Sequence, residues 1–272
     1  MLPSTPASLS PGSVFKALHL KPFVIPNPWD LGSARMMAAL GFPALATTSA
    51  GLAFALGQRE GTLRREQVLD HCRTLIEAVP VPLSADLEKG FGDSPESAAE
   101  TVAAAASVGL AGCSLEDHTG DPAVPIYDFS LAVERIAAAA EARDALGYDF
   151  VLTARCENLL WQRPGLDDVI TRLQAFEAAG ADVLYAPGLR TTDEVKAVCQ
   201  ALKKPVNVLA VPGLSLGALT ASGAIRISLG SAPARLAYGA MIQSLRAITD
   251  AGDFSALDHA IGFTEIQELL AP

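Results

Sequence analysis

Short apolar runs rich in β-branched residues alternate with Ala-rich segments of helical period from Phe23 to about Leu245. Short continuous or alternating apolar runs suit strands, whereas apolar residues recurring every three to four positions suit helices that pack one face. Strands are predicted at 23–25, 44–48, 81–86, 112–116, 150–155, 182–186, 206–209 and 224–229, each separated from the next by a helical segment. The punctuation agrees. Gly41 ends a helix over 30–40, and Pro80, at a strand entry, follows a helix over 65–78. Ser94-Pro95 supplies an N-cap and a first-turn proline for a helix that stops near Gly109.

Strands joined by helices run parallel, and a parallel sheet either stays open or closes on itself. Eight strand-helix units in 272 residues favour closure. An open nucleotide-binding sheet would carry a Gly-rich loop after its first strand, a role that Pro26-Asn27-Pro28-Trp29-Asp30 cannot fill. The expected fold class is therefore α/β, a (β/α)8 TIM barrel forming a single domain over 1–272 with extra C-terminal helices. In the tail, 253–272, Leu257, Ile261, Phe263, Ile266 and Leu269 are too apolar to be left in water, so the tail should dock on another surface.

Half the residues are hydrophobic and 18% are charged, which allows a large core and excludes wholesale disorder. The net charge of -10, without clustered Lys and Arg, argues against a nucleic-acid partner. It does not exclude an anionic substrate, because one bound cation or one inward Arg reverses the local field. Cys72, Cys113, Cys156 and Cys199 are widely spaced and read as buried thiols in a reducing compartment. Residues 1–12 lack the layout of a signal peptide, and no stretch is suited to span a bilayer. No membrane partner is expected, and a cytoplasmic location is the default.

Thr48, Asp86, Glu88, Glu116, Arg155 and Asn207 fall at or just beyond predicted strand ends, which in a barrel surround one mouth. Asp86 and Glu88 flank Leu87, so in an extended chain both carboxylates point to one side, and Glu116 ends the following strand. Any one of these acids could cap a helix or sit solvated in a loop. Three of them at consecutive strand ends, with Arg155 opposite, point to a shared site. Carboxylates brought close together repel, and a hard divalent cation with oxygen ligands, Mg2+ or alternatively Mn2+, relieves that repulsion better than zinc would.

Ala85-Asp86-Leu87-Glu88-Lys89-Gly90-Phe91-Gly92 resembles the D-x-D-x-G-[YF]-G strand-end motif of the isocitrate lyase and phosphoenolpyruvate mutase superfamily. Leu115-Glu116-Asp117 is similar to its next metal-site segment, and Ala154-Arg155-Cys156-Glu157 to its A-R-x-E segment. Leu56-Gly57-Gln58-Arg59-Glu60 resembles its L-G-x-x-D segment with Glu in place of Asp. The resemblance implies a barrel, a Mg2+ site and small 2-oxo or 2-hydroxy carboxylate or phosphonate substrates. It implies that Asp86 binds the metal directly, that Glu88 and Glu116 hold it directly or through waters, that Glu60 is a further acid near the site, and that Arg155 clamps the substrate's anionic end. Ser49 and Ala50 fall where the family holds a substrate carboxylate on backbone amides, although a simple strand-to-helix turn fits the same residues. A homo-oligomer, dimer or tetramer, is implied too, often with a C-terminal helix exchanged between neighbours.

The chain departs from that pattern in two places. His118-Thr119-Gly120-Asp121-Pro122-Ala123-Val124-Pro125 stands where lyases carry K-[KR]-C-G-H, which argues against standard isocitrate lyase activity. Tyr185-Ala186-Pro187-Gly188 stands where mutases carry a His. The expected activity is a Mg2+-dependent lyase or decarboxylase cleaving a C-C bond of a small 2-oxo or 2-hydroxy di- or tricarboxylate. The alternatives are a phosphonomutase or hydrolase acting on a P-C bond, and a non-catalytic 2-oxo acid binding protein. His118 is read either as a mobile acid or base on a lid loop or as a bystander. Asn207 would hydrogen-bond substrate or merely finish a turn; Arg226 and Ser228 are weaker candidates.

Overall fold

A parallel strand needs a crossover before its neighbour can pair, and this chain supplies one after each strand. The computed structural model describes residues 9–161 and 165–271; residues 1–8, which carry most of the stretch read for a targeting signal, and Pro272 at the end of the tail lie outside the described residues. In chain order the first half holds α1 (Pro11–Leu18), β1 (Phe23–Ile25), α2 (Leu31–Ala39), β2 (Leu45–Ala46), α3 (Ser49–Ala55), α4 (Arg65–Ile76), β3 (Leu83–Asp86), α5 (Pro95–Ser107) and β4 (Gly112–Glu116). The second half holds α6 (Phe129–Asp144), β5 (Val151–Arg155), α7 (Leu166–Ala178), β6 (Val183–Tyr185), α8 (Thr192–Ala201), β7 (Val206–Leu209), α9 (Leu216–Ala221) and β8 (Arg226–Ser228). It ends with α10 (Ala232–Ala251), a 3-10 turn (Ser255–His259) and α11 (Phe263–Leu269).

All eight strands are parallel and pair in the order β1-β8-β7-β6-β5-β4-β3-β2. The Ala46 amide donates to the Pro26 carbonyl at 3.1 Å across the remaining gap, so the sheet is a nearly closed (β/α)8 barrel. Ser94 caps α5 as its position before Pro95 predicts, accepting from the Ser97 amide at 3.3 Å. Two helices were not foreseen. One is α1, and the other is α3, whose N-cap Thr48 cuts β2 to two residues where a strand over 44–48 is predicted.

The pleat divides strand residues between two environments. Leu83, Ala85, Cys113, Leu115, Leu152, Ala154, Leu184 and Val208 turn outward into the apolar layer beneath the helices. Inside, the floor is a separate cluster in which Phe15 of α1 packs on Ile25, Ala44, Ala111, Val151 and Val183. Gly12 lets α1 come that close, since a Cβ there would lie 1.7 Å from the Asp149 carbonyl oxygen. Above Phe15 the inward positions are polar, and the cavity is lined there by Ser84, Asp86, Ser114, Arg155, Asn207, Arg226 and Ser228.

The tail forms the expected extra helices but leaves Leu257 and Phe263 exposed. The preceding helix does the same, for Leu236, Met241, Ile242 and Leu245 are exposed and Ala234 is the buried residue of α10. No helix among the described residues is long and apolar enough to cross a membrane.

Candidate active site

Asp86 ends β3, Glu116 ends β4 and Arg155 ends β5, with Glu116 in direct register with Arg155. Adjacent parallel strands ending together therefore deliver two acids and one base to the same mouth. Glu88 reaches that mouth by a different route from the extended alternation expected for it. The strand stops at Asp86, and Glu88 takes a left-handed conformation with φ 49°, followed by Gly90 at φ 88° and Phe91 at φ 60°. The turn is held from below by Arg135, a buried cation whose Nη1 donates to the carbonyls of Gly92 (2.9 Å) and Ser94 (3.1 Å) and whose Nη2 donates to that of Lys89.

Arg155 sits among the acids. Its Nη1 lies 3.2 Å from Glu116 Oε2 and 3.6 Å from Asp86 Oδ2, and its Nε donates to Glu157. Burial alone would lower the affinity of this guanidinium for its proton, but Glu157, Glu116 and Asp86 together hold it well above the usual arginine range. Burial likewise raises Glu88 to about 7, with Asp86, Glu116 and Glu60 adding to the shift. Burial also lifts Glu60 above its ordinary value. Burial would raise Glu116 as well, but Arg155 and then His118 outweigh it and keep that carboxyl low. The Ser49 hydroxyl lies 3.0 Å from Asp86 Oδ2 and 3.1 Å from Glu60 Oε1, and its one proton can serve only one of them. The mouth thus holds more negative charge than its arginine balances.

That surplus of hard oxygen donors fits a divalent cation. Among the described residues no three acid, His or Cys side chains converge into a closed ligand cage. Mg2+ keeps several of its waters and is bound through few protein carboxylates, so it asks for no such cage.

His118 is held in an ordered loop closed by its bridge to Ile126. Its Nδ1 lies 3.6 Å from Glu116 Oε1, and its ring stacks on Trp161 with centroids 4.6 Å apart. Hydrogen bonding to Glu116 raises its pKa above the usual histidine value, and its buried Nε2 has no hydrogen-bond partner among the described residues. Asp117, which follows Glu116 in the same segment, is 3% exposed. It accepts from the Glu157 amide at 2.8 Å and pairs with Arg172 at 3.4 Å, tying the end of β4 to that of β5.

Ser49 and Ala50 open α3, so the turn that contained them is a helix start. The Ser49 amide already donates to Asp86 Oδ2 at 3.3 Å. Asn207 is the second residue of β7, not its end, and is 1% exposed. Its amide group is engaged by Ser228 and Arg226, which places it deeper in the barrel than a strand-end reading expects. Sequence reasoning missed Glu157, Arg172, Arg135 and Trp161; the A-R-x-E segment contained the one available signal, for Glu157.

The family model for phosphoenolpyruvate phosphomutase matches residues 15–249. A crystal structure of a lyase/mutase candidate from Burkholderia cenocepacia J2315 superposes with a TM-score of 0.92 at 48% identity, covering 96% of this chain and 95% of that one. The 2-methylisocitrate lyase of Escherichia coli is 30% identical over 72% of this chain and 69% of its own length. The oxaloacetate decarboxylase of Bradyrhizobium diazoefficiens is 28% identical over 93% of this chain and 85% of its own.

Proposed function

Because the chain belongs to the phosphoenolpyruvate phosphomutase family, we propose that it is a Mg2+-dependent lyase or decarboxylase that breaks a carbon–carbon bond of a small 2-oxo or 2-hydroxy di- or tricarboxylate. Relatives named 2-methylisocitrate lyase and oxaloacetate decarboxylase both carry names that imply cleavage of a C-C bond in a small carboxylate, which supports the reading. The observation that carries the reading is the meeting of Asp86, Glu116 and Arg155 from three consecutive strands in one mouth, with Glu88 and Glu60 beside them.

In this reading Asp86, Glu88 and Glu116 hold the cation, directly or through waters, and Mn2+ could replace Mg2+. Bound there, the ion would neutralise the acidic surplus and supply Lewis acidity for negative charge developing on the 2-oxo oxygen. Arg155 keeps the acids in one cluster and faces one end of the substrate. The backbone of Ser49 and Ala50 holds a carboxylate at the start of α3. Bond cleavage leaves its electron pair on the substrate as an enolate, whose carbon then takes up a proton. In this reading His118, whose pKa is raised beside Glu116 and whose ring stacks on Trp161, supplies it. The same reading makes the protein a homo-oligomer in which the exposed apolar face of α10 is covered by a neighbour.

Turnover of oxaloacetate, methylisocitrate and phosphonopyruvate, with Mg2+ and with a chelator, tests the proposal. Metal-dependent loss of a C-C bond in either carboxylate supports it. Release of inorganic phosphate from phosphonopyruvate would instead assign P-C chemistry, and turnover indifferent to the chelator would refute the metal's role.

A further inference from the structure

Below the acidic mouth the cavity continues to a second arginine that stands without a counter-charge. Barrel interiors are ordinarily filled by layers of branched aliphatic side chains. Here the inward positions include Ala46, Ser84, Ser114 and Ser228, too short to meet across the axis. The cavity they leave is small, ≈ 60 Å³, and opens toward the mouth.

Arg226, at the start of β8 and 5% exposed, lines this space. Its Nε donates to Asn207 Oδ1 at 2.9 Å, its Nη2 to Thr153 Oγ1 at 2.9 Å, and its Nη1 faces His19 Nε2 at 3.3 Å. All three partners are neutral. Burial, and then Arg226 itself, push His19 down to about 3. With His19 Nδ1 donating to the Phe15 carbonyl, Nε2 carries the lone pair. A guanidinium has five N–H groups, so two remain beyond these contacts. Burial lowers Arg226 to about 10, which leaves it charged at neutral pH. No carboxylate pairs with it among the described residues, and a buried charge without a counter-ion is destabilising. Arg155 differs in this respect, because Asp86, Glu116 and Glu157 already surround it.

We propose that Arg226 is the anion-binding floor of the substrate cavity, taking the second carboxylate of a small dicarboxylate whose reacting end lies among Arg155 and the acids. This rests on the reading of the mouth as a 2-oxo acid site. Thr153, which Arg226 touches, lies two residues before Arg155 on β5, and both side chains point inward, about 7 Å apart along the strand. Asn207 and Ser228 are then positioning residues, since each spends hydrogen bonds on holding the guanidinium or its neighbour.

Calorimetric titration with malonate and with acetate, in Mg2+ buffer, tests the floor without requiring turnover. The dissociation constant for malonate should rise about tenfold or more in R226Q and by less in R226K, while that for acetate changes little. Wild-type crystals grown with malonate should show one carboxylate within hydrogen-bond distance of Arg226. This last result needs no variant and decides the matter if R226Q does not fold. Equal malonate affinity in wild type and R226Q, or malonate confined to the mouth with water over Arg226, would overturn the proposal. If no diacid is ever cleaved, the lyase reading fails while an Arg226-dependent malonate affinity still stands.

Discussion

Replacing Arg135 with Met should destabilise the protein by about 3 kcal/mol, and the figure follows from what the side chain holds. Arg135 is 3% exposed and donates to the carbonyls of Lys89, Gly92 and Ser94 while its guanidinium lies 4.6 Å from the Tyr127 ring centroid. Hydrogen bonds from a charged donor contribute about 1.5–3 kcal/mol each, so three would sum to well over 4 kcal/mol if nothing relaxed. Gly92 is only half-buried and Ser94 is exposed, so water can replace part of that bonding and the loss falls to about 3 kcal/mol. Met keeps the stem and its packing but no donor. At roughly 2–4 °C per kcal/mol for a chain of this size, the melting temperature should drop by about 6–12 °C. The loss should be local as well. Residues 88–94 include two non-glycine left-handed positions, and hydrogen–deuterium exchange in that turn should accelerate more than in β4 or β5. R135K, which keeps one cationic donor but not the fork, should fall between. A melting temperature within 2 °C of wild type, with unchanged exchange at 88–94, would show that the turn holds itself and would refute the reasoning.

Three further outcomes follow from the same geometry. Burial raises Glu60, Glu88 (to about 7), Asp117 (to about 6) and Glu157, and a carboxyl that holds its proton more tightly when folded stabilises the fold below its unfolded value, a contribution lost as pH rises through the folded one. In a chelator the melting temperature should therefore decline between pH 4.5 and about 7, E88Q should flatten part of the slope, and Mg2+ should restore stability at the upper end; a wild-type curve that climbs across this window contradicts the assignment. H118Q should lower kcat at least tenfold with KM little changed, measured on whichever substrate is turned over, and full activity would make His118 a bystander. Glu at both Leu236 and Leu245 of α10 should shift the protein to monomers in sedimentation velocity, whereas an unchanged assembly would show that this exposed face is not the contact.

The fold was largely legible because its signal is periodic and local. Predicted strands at 23–25, 112–116 and 206–209 coincide with β1, β4 and β7, and the others differ by one or two residues at their ends, in β2 because capping competes with pairing. Thr48 illustrates that competition: its hydroxyl accepts from the Gly51 amide to cap α3, and β2 stops at Ala46, two residues before the predicted strand end. The helix α1 was missed because its eight residues carry too short a period to stand out, and only Phe15 docking under the barrel gives it a purpose.

By itself the sequence determined that eight parallel strands would alternate with helices, and that Asp86, Glu116 and Arg155 would end three consecutive strands, since both follow from spacing along the chain. Only the tertiary structure decided what those groups face. Glu88 arrives through a left-handed turn, Arg155 is ringed by carboxylates, and Arg226, on a strand three places from β5, reaches Thr153 inside the closed ring. The physical reason is that charge balance depends on distances across the barrel axis. Closure sets those distances between residues as far apart in sequence as Thr153 and Arg226, and no local period encodes them.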